Sequence, residues 1–244
     1  MPRLDQLLAH NLGHTRKEIA RLLRSGAVRD PEGAPLRDPR TPIALDQLPL
    51  ELTVAGTPIR LREHAHVLLH KPVGVVTSRN DDRSPTAWAL LDGAPMHHLL
   101  NAVGRLDLDA AGLLLWTTDG QRLHALTHPR RAVPREYQVA LARPWTPPAV
   151  GEDGAIVVTL ADASRPRIVA LEPLAEADRH PALEPPPETE VLARITLLDG
   201  TYHEVKRIFA SLGSHVLRLA RVRHGEHALP PDLAAGAWIE LPEL

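Results

Sequence analysis

The chain has 244 residues, of which 43% are hydrophobic and 24% charged, and its formal net charge is −2 at pH 7. This composition is ordinary for a soluble globular protein with one large domain, or with a small domain and a larger one. Cysteine is absent, which excludes disulfides and thiolate chemistry. Because no apolar run approaches the roughly 18 residues of a membrane span and no signal-peptide core opens the chain, we expect a cytoplasmic protein.

The first sixty residues predict two short helices followed by small strands. Leucines spaced three and four apart over residues 3–12 share one helical face. Thr15 and Glu18 form a capping box that predicts the start of a second helix, and Gly26 is a suitable end for it. A short strand is predicted over residues 50–54.

Basic residues are concentrated near the N-terminus. Residues 1–29 contain six basic and two acidic side chains, although the whole chain is slightly acidic. Four of the six lie along the second predicted helix and could contact phosphates. A solvated charged face is the alternative interpretation, and the sequence leaves both open. The four residues are Arg16, Lys17, Arg21 and Arg24.

Residues 55–65 are predicted to form a linker, after which residues 67–69 begin a second domain as a strand. Lys71 opens a turn, Lys-Pro-Val-Gly, in which the proline and glycine fix a bend and a lysine is expected to be exposed. His97 and His98 are adjacent, but no further ligand group lies at zinc spacing. We therefore predict no metal site.

The stretch from Gly104 to Gly120 predicts an acidic loop that a rigid element holds in place. It begins Gly-Arg-Leu-Asp and contains the apolar run 113–116, which is short enough for a buried strand. Asp107 therefore lies just before a core strand, a common location for catalytic groups. A turn or capping aspartate is the alternative.

Two later segments add candidate residues. Arg135 and Tyr137 fall on one face of a predicted strand, because side chains alternate along a strand. Residues 199–200, Asp-Gly, predict a hairpin turn. Residues 203–209 then predict a helix that carries Lys206.

Three separated segments, in this order, resemble the sequence signature of bacterial ribosomal pseudouridine synthases of the RsuA/RluB/E/F family. The resemblance implies that Asp107 is the nucleophile, that Tyr137 stacks on the target base and that Lys206 is the basic partner of the nucleophile. The three segments are Gly104-Arg-Leu-Asp107, Arg135-Glu-Tyr137 and His203-Glu-Val-Lys-Arg-Ile-Phe209.

The sequence departs from the family pattern at a few positions. Ala110 and Ala111 stand where the family usually has serine or threonine, so a hydroxyl that would brace the catalytic loop is missing. Arg135 replaces a lysine and keeps the charge. Glu204 replaces a glutamine and adds a negative charge near the predicted site.

The resemblance also implies the fold and the RNA contacts. It implies an α+β protein with an S4-like RNA-binding domain over residues 1–60 and a catalytic domain over residues 61–244. The catalytic domain would have a mixed, mostly antiparallel sheet, whereas periodicity alone indicates only a mixture of helices and strands. Basic side chains would contact RNA or hold the catalytic loop: Arg16, Lys17, Arg21, Arg24, Lys71, Arg105 and Arg135.

The implied reaction is the isomerisation of uridine to pseudouridine in ribosomal RNA. Asp107 would attack C1′ as the nucleophile of a retaining glycosidase does, or would promote elimination to a glycal, and both routes stay open. Lys206 would keep Asp107 ionised and aimed, and Tyr137 would stack on the flipped uracil. Since uracil leaves as a delocalised anion, no metal or organic cofactor is expected.

Two other classes of function stay open. Asp107 and Asp109 could serve a glycosidase or phosphohydrolase, although aromatic residues make up only 3% of the chain. Residues 1–60 could instead make the chain a non-catalytic RNA-binding or ribosome-assembly factor.

Among the rRNA enzymes, the N-terminus and length favour the small-subunit type, while residues 221–225 resemble the large-subunit type. The expected partner is ribosomal RNA or a pre-ribosomal particle, bound by a monomer away from membranes.

Overall fold

Two separate β-sheets organise the chain in the computed structural model, which describes residues 1–244. The N-terminal sheet has three antiparallel strands in the order β1 (Val28–Arg29), β2 (Leu50–Val54) and β3 (Thr57–Leu61). The second sheet has eleven strands and contains everything from His66 onward that forms β-structure.

The two N-terminal helices form where their capping residues predict them. They are α1 (Leu4–Leu12) and α2 (Arg16–Ser25). The Thr15 hydroxyl accepts the backbone N–H of Glu18, whose carboxylate accepts the Thr15 N–H in return. Both helices pack leucine and isoleucine side chains against β2 and β3 in a core of their own. The predicted pair of helices is therefore confirmed.

The prediction of a linker over residues 55–65 is wrong in its first half. Residues 57–61 form β3, which pairs with β2 through a two-residue turn. Both turn residues, Ala55 and Gly56, have positive φ, as the hairpin turns that suit the strand twist require. Alanine rarely adopts that conformation, so the sequence carries only half of the usual hairpin signal.

Arg62 ties the short connection after β3 to both parts of the chain. Its guanidinium donates two hydrogen bonds to the Glu240 carboxylate, at 2.8 and 2.9 Å. The Asn11 side chain donates to the Arg62 carbonyl at 2.8 Å and accepts the Arg62 N–H at 3.0 Å. The connection is therefore fixed to α1 on one side and to the last strand on the other.

The large sheet is mixed and mostly antiparallel, as the family resemblance implied. Only the pairing of β6 with β12 is parallel. No helix is long and apolar enough to span a membrane. The elements after β3 are β4 (His66–Lys71), β5 (Asn101–Ala102), β6 (Ala110–Thr117), α3 (Gly120–Thr127), β7 (Arg135–Leu141), β8 (Ala149–Val150), β9 (Ile156–Val157), β10 (Ile168–Pro173), β11 (Val191–Leu197), α4 (Glu204–Ser211), β12 (Val216–His224), β13 (His227–Ala228) and β14 (Trp238–Leu241).

Strand β6 is the central element of this sheet. All eight of its residues are buried, because core clusters cover both of its faces. At Gly112 the backbone of β12 comes so close that a Cβ would lie 2.3 Å from the Arg221 carbonyl oxygen, and the φ of Gly112 is +108°. Glycine is therefore required for β6 and β12 to lie side by side, and their contact positions the loop that precedes β6.

The predicted hairpin at Asp199 and Gly200 is also wrong. Strand β11 leads into α4, and the next strand, β12, pairs with β7 and β6 instead of with β11. Gly200 lacks the positive φ of a tight hairpin turn. The Asp199 carboxylate instead accepts the backbone N–H of Arg167 at 2.9 Å and hydrogen bonds from its guanidinium, which fixes the loop.

Candidate active site

A cleft of about 560 Å³ opens where β6, β7, β11 and β12 meet the first turn of α4. Five of the residues singled out in the sequence line it, although they come from three distant parts of the chain: Arg105, Asp107, Arg135, Tyr137 and Lys206. The structure therefore brings the three segments of the family resemblance to one place.

Asp107 lies on the loop before β6, and this loop is braced from outside. The Thr77 hydroxyl donates to the Leu106 carbonyl at 2.8 Å and accepts the Leu106 N–H at 3.0 Å. The Gly74 N–H donates to the Leu108 carbonyl at 2.8 Å. A hydroxyl brace is thus present despite the two alanines that begin β6, because Thr77 supplies it from a neighbouring loop.

The ammonium of Lys206 lies between two carboxylates. Its Nζ is 3.4 Å from Oδ2 of Asp107 and hydrogen-bonds both oxygens of Asp109, at 2.7 and 2.9 Å. Arg207, one residue further along α4, turns away and pairs with Asp162. The side chain that faces Asp107 is therefore that of Lys206, and Asp109 is an additional partner that the sequence did not assign to it.

The charge of Lys206 acts on Asp109 through a hydrogen bond. Partial burial raises the pKa of the Asp109 carboxyl, but the hydrogen bond from Lys206 and the positive charges nearby more than offset this, and the pKa is lowered. Asp109 is therefore ionised at neutral pH. The side chain of Asp107 is 31% exposed, so a substrate in the cleft can reach it.

His203 and Tyr202 also reach the cleft, and sequence reasoning gave neither of them a role. The Nε2 atom of His203 is 3.6 Å from Oδ2 of Asp107. The ring of Tyr202 stacks on that of His203, with 3.7 Å between centroids and 18° between planes. His203 is the first residue of the third segment of the resemblance, and this position could have identified it as a residue of the cleft.

Tyr137 and Arg135 share a face of β7, as alternation predicts, and both are buried in the wall of the cleft. The Arg135 guanidinium donates to the Asp199 carbonyl at 3.0 Å and to the Leu126 carbonyl at 3.2 Å. Burial lowers the pKa of Arg135. Arg135 therefore holds the protein loops around the cleft, and its contact with RNA stays a prediction.

Lys71 requires the largest correction. Its side chain was expected near RNA or in an exposed turn, but the residue is 0% exposed. The ammonium donates to the Pro72 carbonyl at 2.8 Å and to the Ala110 carbonyl at 2.7 Å. Burial lowers its pKa to about 8, against the opposing effect of the charges of Asp109 and Asp107. Lys71 thus lies beneath the carboxylate loop, out of reach of any RNA phosphate.

Arg221 was missed as a site residue, because the sequence pattern marked its segment only as a clue to the substrate. The residue is almost fully buried on β12 and lines the cleft. Its Nε donates to the Leu113 carbonyl at 2.8 Å and its Nη1 to the Arg105 carbonyl at 3.5 Å. Arg221 therefore links β12 to residues on both sides of the loop that carries Asp107.

Glu204 is buried at the start of α4. Its Oε1 accepts a hydrogen bond from the Thr201 hydroxyl at 3.0 Å, and its Oε2 has no partner. Burial raises the pKa of Glu204, which favours the neutral acid. Burial therefore opposes the negative charge that the replacement of glutamine introduces at this position.

The remaining predicted RNA contacts are exposed. Arg105 lies at the rim of the cleft and its side chain forms no ion pair. The basic residues of α2 are likewise exposed and lack acidic partners within 4.0 Å: Arg16, Lys17, Arg21 and Arg24.

The lowered pKa of Lys71 predicts a stability that depends on pH. The unfolded chain holds the Lys71 proton up to about pH 10.5 and the folded chain only up to about pH 8, so the unfolded state binds more protons between these values. The free energy of unfolding should therefore rise across this window, by up to about 1.4 kcal/mol per pH unit. Denaturant titrations of wild type and Lys71→Met measure it. The variant should lack this rise, and equal slopes would contradict a buried ammonium.

Comparison with known proteins relates the whole chain to one family. Residues 65–211 match the RNA pseudouridylate synthases. Ribosomal small subunit pseudouridine synthase A of Vibrio cholerae is 37% identical, over 99% of this chain and 96% of that protein. The uncharacterized RNA pseudouridine synthase YtzG of Bacillus subtilis is 31% identical, over 99% and 95%. A crystal structure of a pseudouridylate synthase matches with a TM-score of 0.58 and 29% identity, over 99% and 96%. The chain therefore belongs to the RNA pseudouridylate synthase family.

Proposed function

We propose that this pseudouridine synthase isomerises a uridine of small-subunit ribosomal RNA, with Asp107 as its nucleophile. The observation that supports this most is the placement of Asp107 in the cleft, with Lys206 Nζ at 3.4 Å and Tyr137 in the same cleft. Relatives that are similar over nearly the full length carry the small-subunit name. We include in the proposal a monomeric enzyme in the cytoplasm, acting on ribosomal RNA or a pre-ribosomal particle.

In this proposal the carboxylate of Asp107 either attacks C1′ of the uridine and displaces uracil, as the bond from C1′ to N1 breaks, or removes a proton from C2′ as the same bond breaks and leaves a glycal. Both routes need an ionised carboxylate that can reach the ribose. The ammonium of Lys206 lies 3.4 Å from Oδ2 of Asp107, while its hydrogen bonds go to Asp109. The oxygens of Asp107 therefore stay available for reaction.

The uracil must turn within the cleft before it is rejoined through C5. A base that leaves its stack is held by aromatic side chains in enzymes that act on nucleotides. Tyr137 is buried in the cleft wall and offers its ring there. We assign it to the target base, and Arg105 at the exposed rim to an adjacent phosphate.

The glycosidase alternative fits the site less well. Hydrolases with two carboxylates use one of them as an acid with a raised pKa. The second carboxylate beside the cleft is that of Asp109, whose pKa is lowered and which is hydrogen-bonded to Lys206. A carboxylate held ionised in this way is a poor proton donor.

A deletion strain tests the substrate and the nucleophile together. Mapping of pseudouridines in both ribosomal RNAs should show one site missing from the small-subunit RNA, restored by wild type but not by Asp107→Asn. The purified variant should bind RNA yet keep under about 1% of wild-type turnover, a barrier increase of about 3 kcal/mol. A site missing from the large-subunit RNA instead would contradict the substrate, and an active variant would contradict the nucleophile.

The neighbours Lys206 and Arg207 provide a matched pair of variants. Lys206→Met leaves two carboxylates without their cation, and we expect a loss of about 100-fold in kcat, or 2.7 kcal/mol. This is below the 3–5 kcal/mol of a fully buried pair, because the side chains are partly exposed. Arg207→Met removes only the contact with Asp162 and should keep kcat within a few-fold. The reverse result, measured at saturating RNA, would assign the catalytic cation to Arg207.

The basic face of α2 predicts a salt-dependent affinity, in line with an S4-like role for residues 1–60. We expect replacement of its four cations with glutamine to weaken RNA binding and to reduce the slope of log K against log salt by about 3. A double variant at Arg40 and Arg60, which are exposed cations elsewhere in the N-terminal region, is the control and should change the slope less. Equal slopes for the quadruple variant and wild type would remove α2 from the RNA interface. The quadruple variant changes Arg16, Lys17, Arg21 and Arg24.

A further inference from the structure

Tyr202 presents an open aromatic ring at the entrance of the cleft. The chain has four tryptophans, two tyrosines and one phenylalanine. Six of these seven side chains are buried or half-buried, whereas Tyr202 is 77% exposed. An isolated exposed apolar residue is common on protein surfaces and by itself indicates nothing. The surroundings of Tyr202 supply the further observations.

One face of the Tyr202 ring is already stacked on another side chain of the protein. It lies on the imidazole of His203, at 3.7 Å between ring centroids and 18° between ring planes. His203 in turn has its Nε2 atom 3.6 Å from Oδ2 of Asp107. Tyr202, His203 and Asp107 are therefore in successive contact, and the outer face of the Tyr202 ring is open to solvent.

The segment that carries Tyr202 is anchored before and after it. The carbonyl of Asp199 accepts a hydrogen bond from the buried Arg135. The N–H of Glu204 donates to the carbonyl of Thr201 at 3.2 Å. A ring that is already positioned loses little conformational entropy when a second ring stacks on it.

We propose that the outer face of Tyr202 stacks on an unpaired RNA base next to the target uridine. This inference rests on the proposed function, in which Tyr137 inside the cleft takes the target base. Tyr202 is at the entrance, one stacked ring away from the residue that contacts Asp107, and so meets a neighbouring nucleotide. Single-stranded RNA bases stack on exposed tyrosines in this way, and every base offers a suitable face. The platform therefore holds the strand in place while the target base is turned.

The test uses the full-length protein and a short RNA that wild type is first shown to modify. The fluorescent base 2-aminopurine replaces the nucleotide on either side of the target in turn. Binding of wild type should quench one of the two positions, and Tyr202→Ala should abolish this quenching. KM should rise about 5- to 100-fold in this variant, as expected for loss of one stacked base, while kcat stays within a few-fold. Tyr202→Phe, which keeps the ring, should behave as wild type.

Two controls separate the possible outcomes. Val169→Ala removes another exposed apolar side chain, on β10, and should leave KM and quenching unchanged. If Tyr202→Ala has normal KM and quenching, the platform is refuted, as it is if kcat alone collapses. If wild type modifies only large-subunit RNA, the proposed substrate fails, but the same measurements on that RNA still decide the role of Tyr202.

Discussion

The buried ammonium of Lys71 is the interaction on which the site depends most. Removing a charge from water costs several kcal/mol, and the cost is offset only where acceptors and opposite charges surround it. Here the carbonyls of Pro72 and Ala110 accept hydrogen bonds from it, and the charges of Asp109 and Asp107 offset part of the effect of burial, which still lowers its pKa to about 8. The arrangement ties the end of β4 to the start of β6. The carboxylate loop is therefore held from beneath by the hydrogen bonds of Lys71 and from its side by those of Thr77 and Gly74.

On the cleft side of this loop, the ammonium of Lys206 contacts the carboxylates of Asp109 and Asp107 in different ways. Lys206 hydrogen-bonds Asp109 but approaches Asp107 only to 3.4 Å. A nucleophile whose oxygens are all engaged in short hydrogen bonds has weaker electron pairs to donate. Asp109 therefore acts in our proposal as an anchor that holds the ammonium in position, and Asp107 benefits from the charge without being blocked. The sequence showed the two acids two residues apart but could not show this division of roles.

Sequence patterns predicted the elements that depend on residues close together in the chain. They failed for features that depend on contacts between distant segments. The capping box of Thr15 and the apolar run of β6 gave correct elements, because the causes lie within a few residues. The three segments of the family resemblance led to one cleft. Lys71 was misjudged because it is the last residue of β4 and pairs with Gly112 of β6, so its side chain is buried although the turn residues Val73 and Gly74 are exposed. The β2–β3 hairpin was missed because Ala55 has the left-handed conformation that usually signals glycine or asparagine.

The basic face of α2 and the cleft lie in different parts of the chain, and their arrangement would affect which RNA the protein selects. In the proposed function, phosphate contacts from α2 would supply affinity that weakens with salt and would carry no sequence information. The proposed stacking on Tyr137 and Tyr202 would be tolerant of base identity as well. Neither contact alone selects one uridine. Arg62, however, fixes the connection between the two sheets to both α1 and β14 through Asn11 and Glu240. In the proposed function, the shape of the RNA then determines which uridine is modified. Only a folded RNA that reaches from α2 to the cleft would present an unpaired uridine to Asp107.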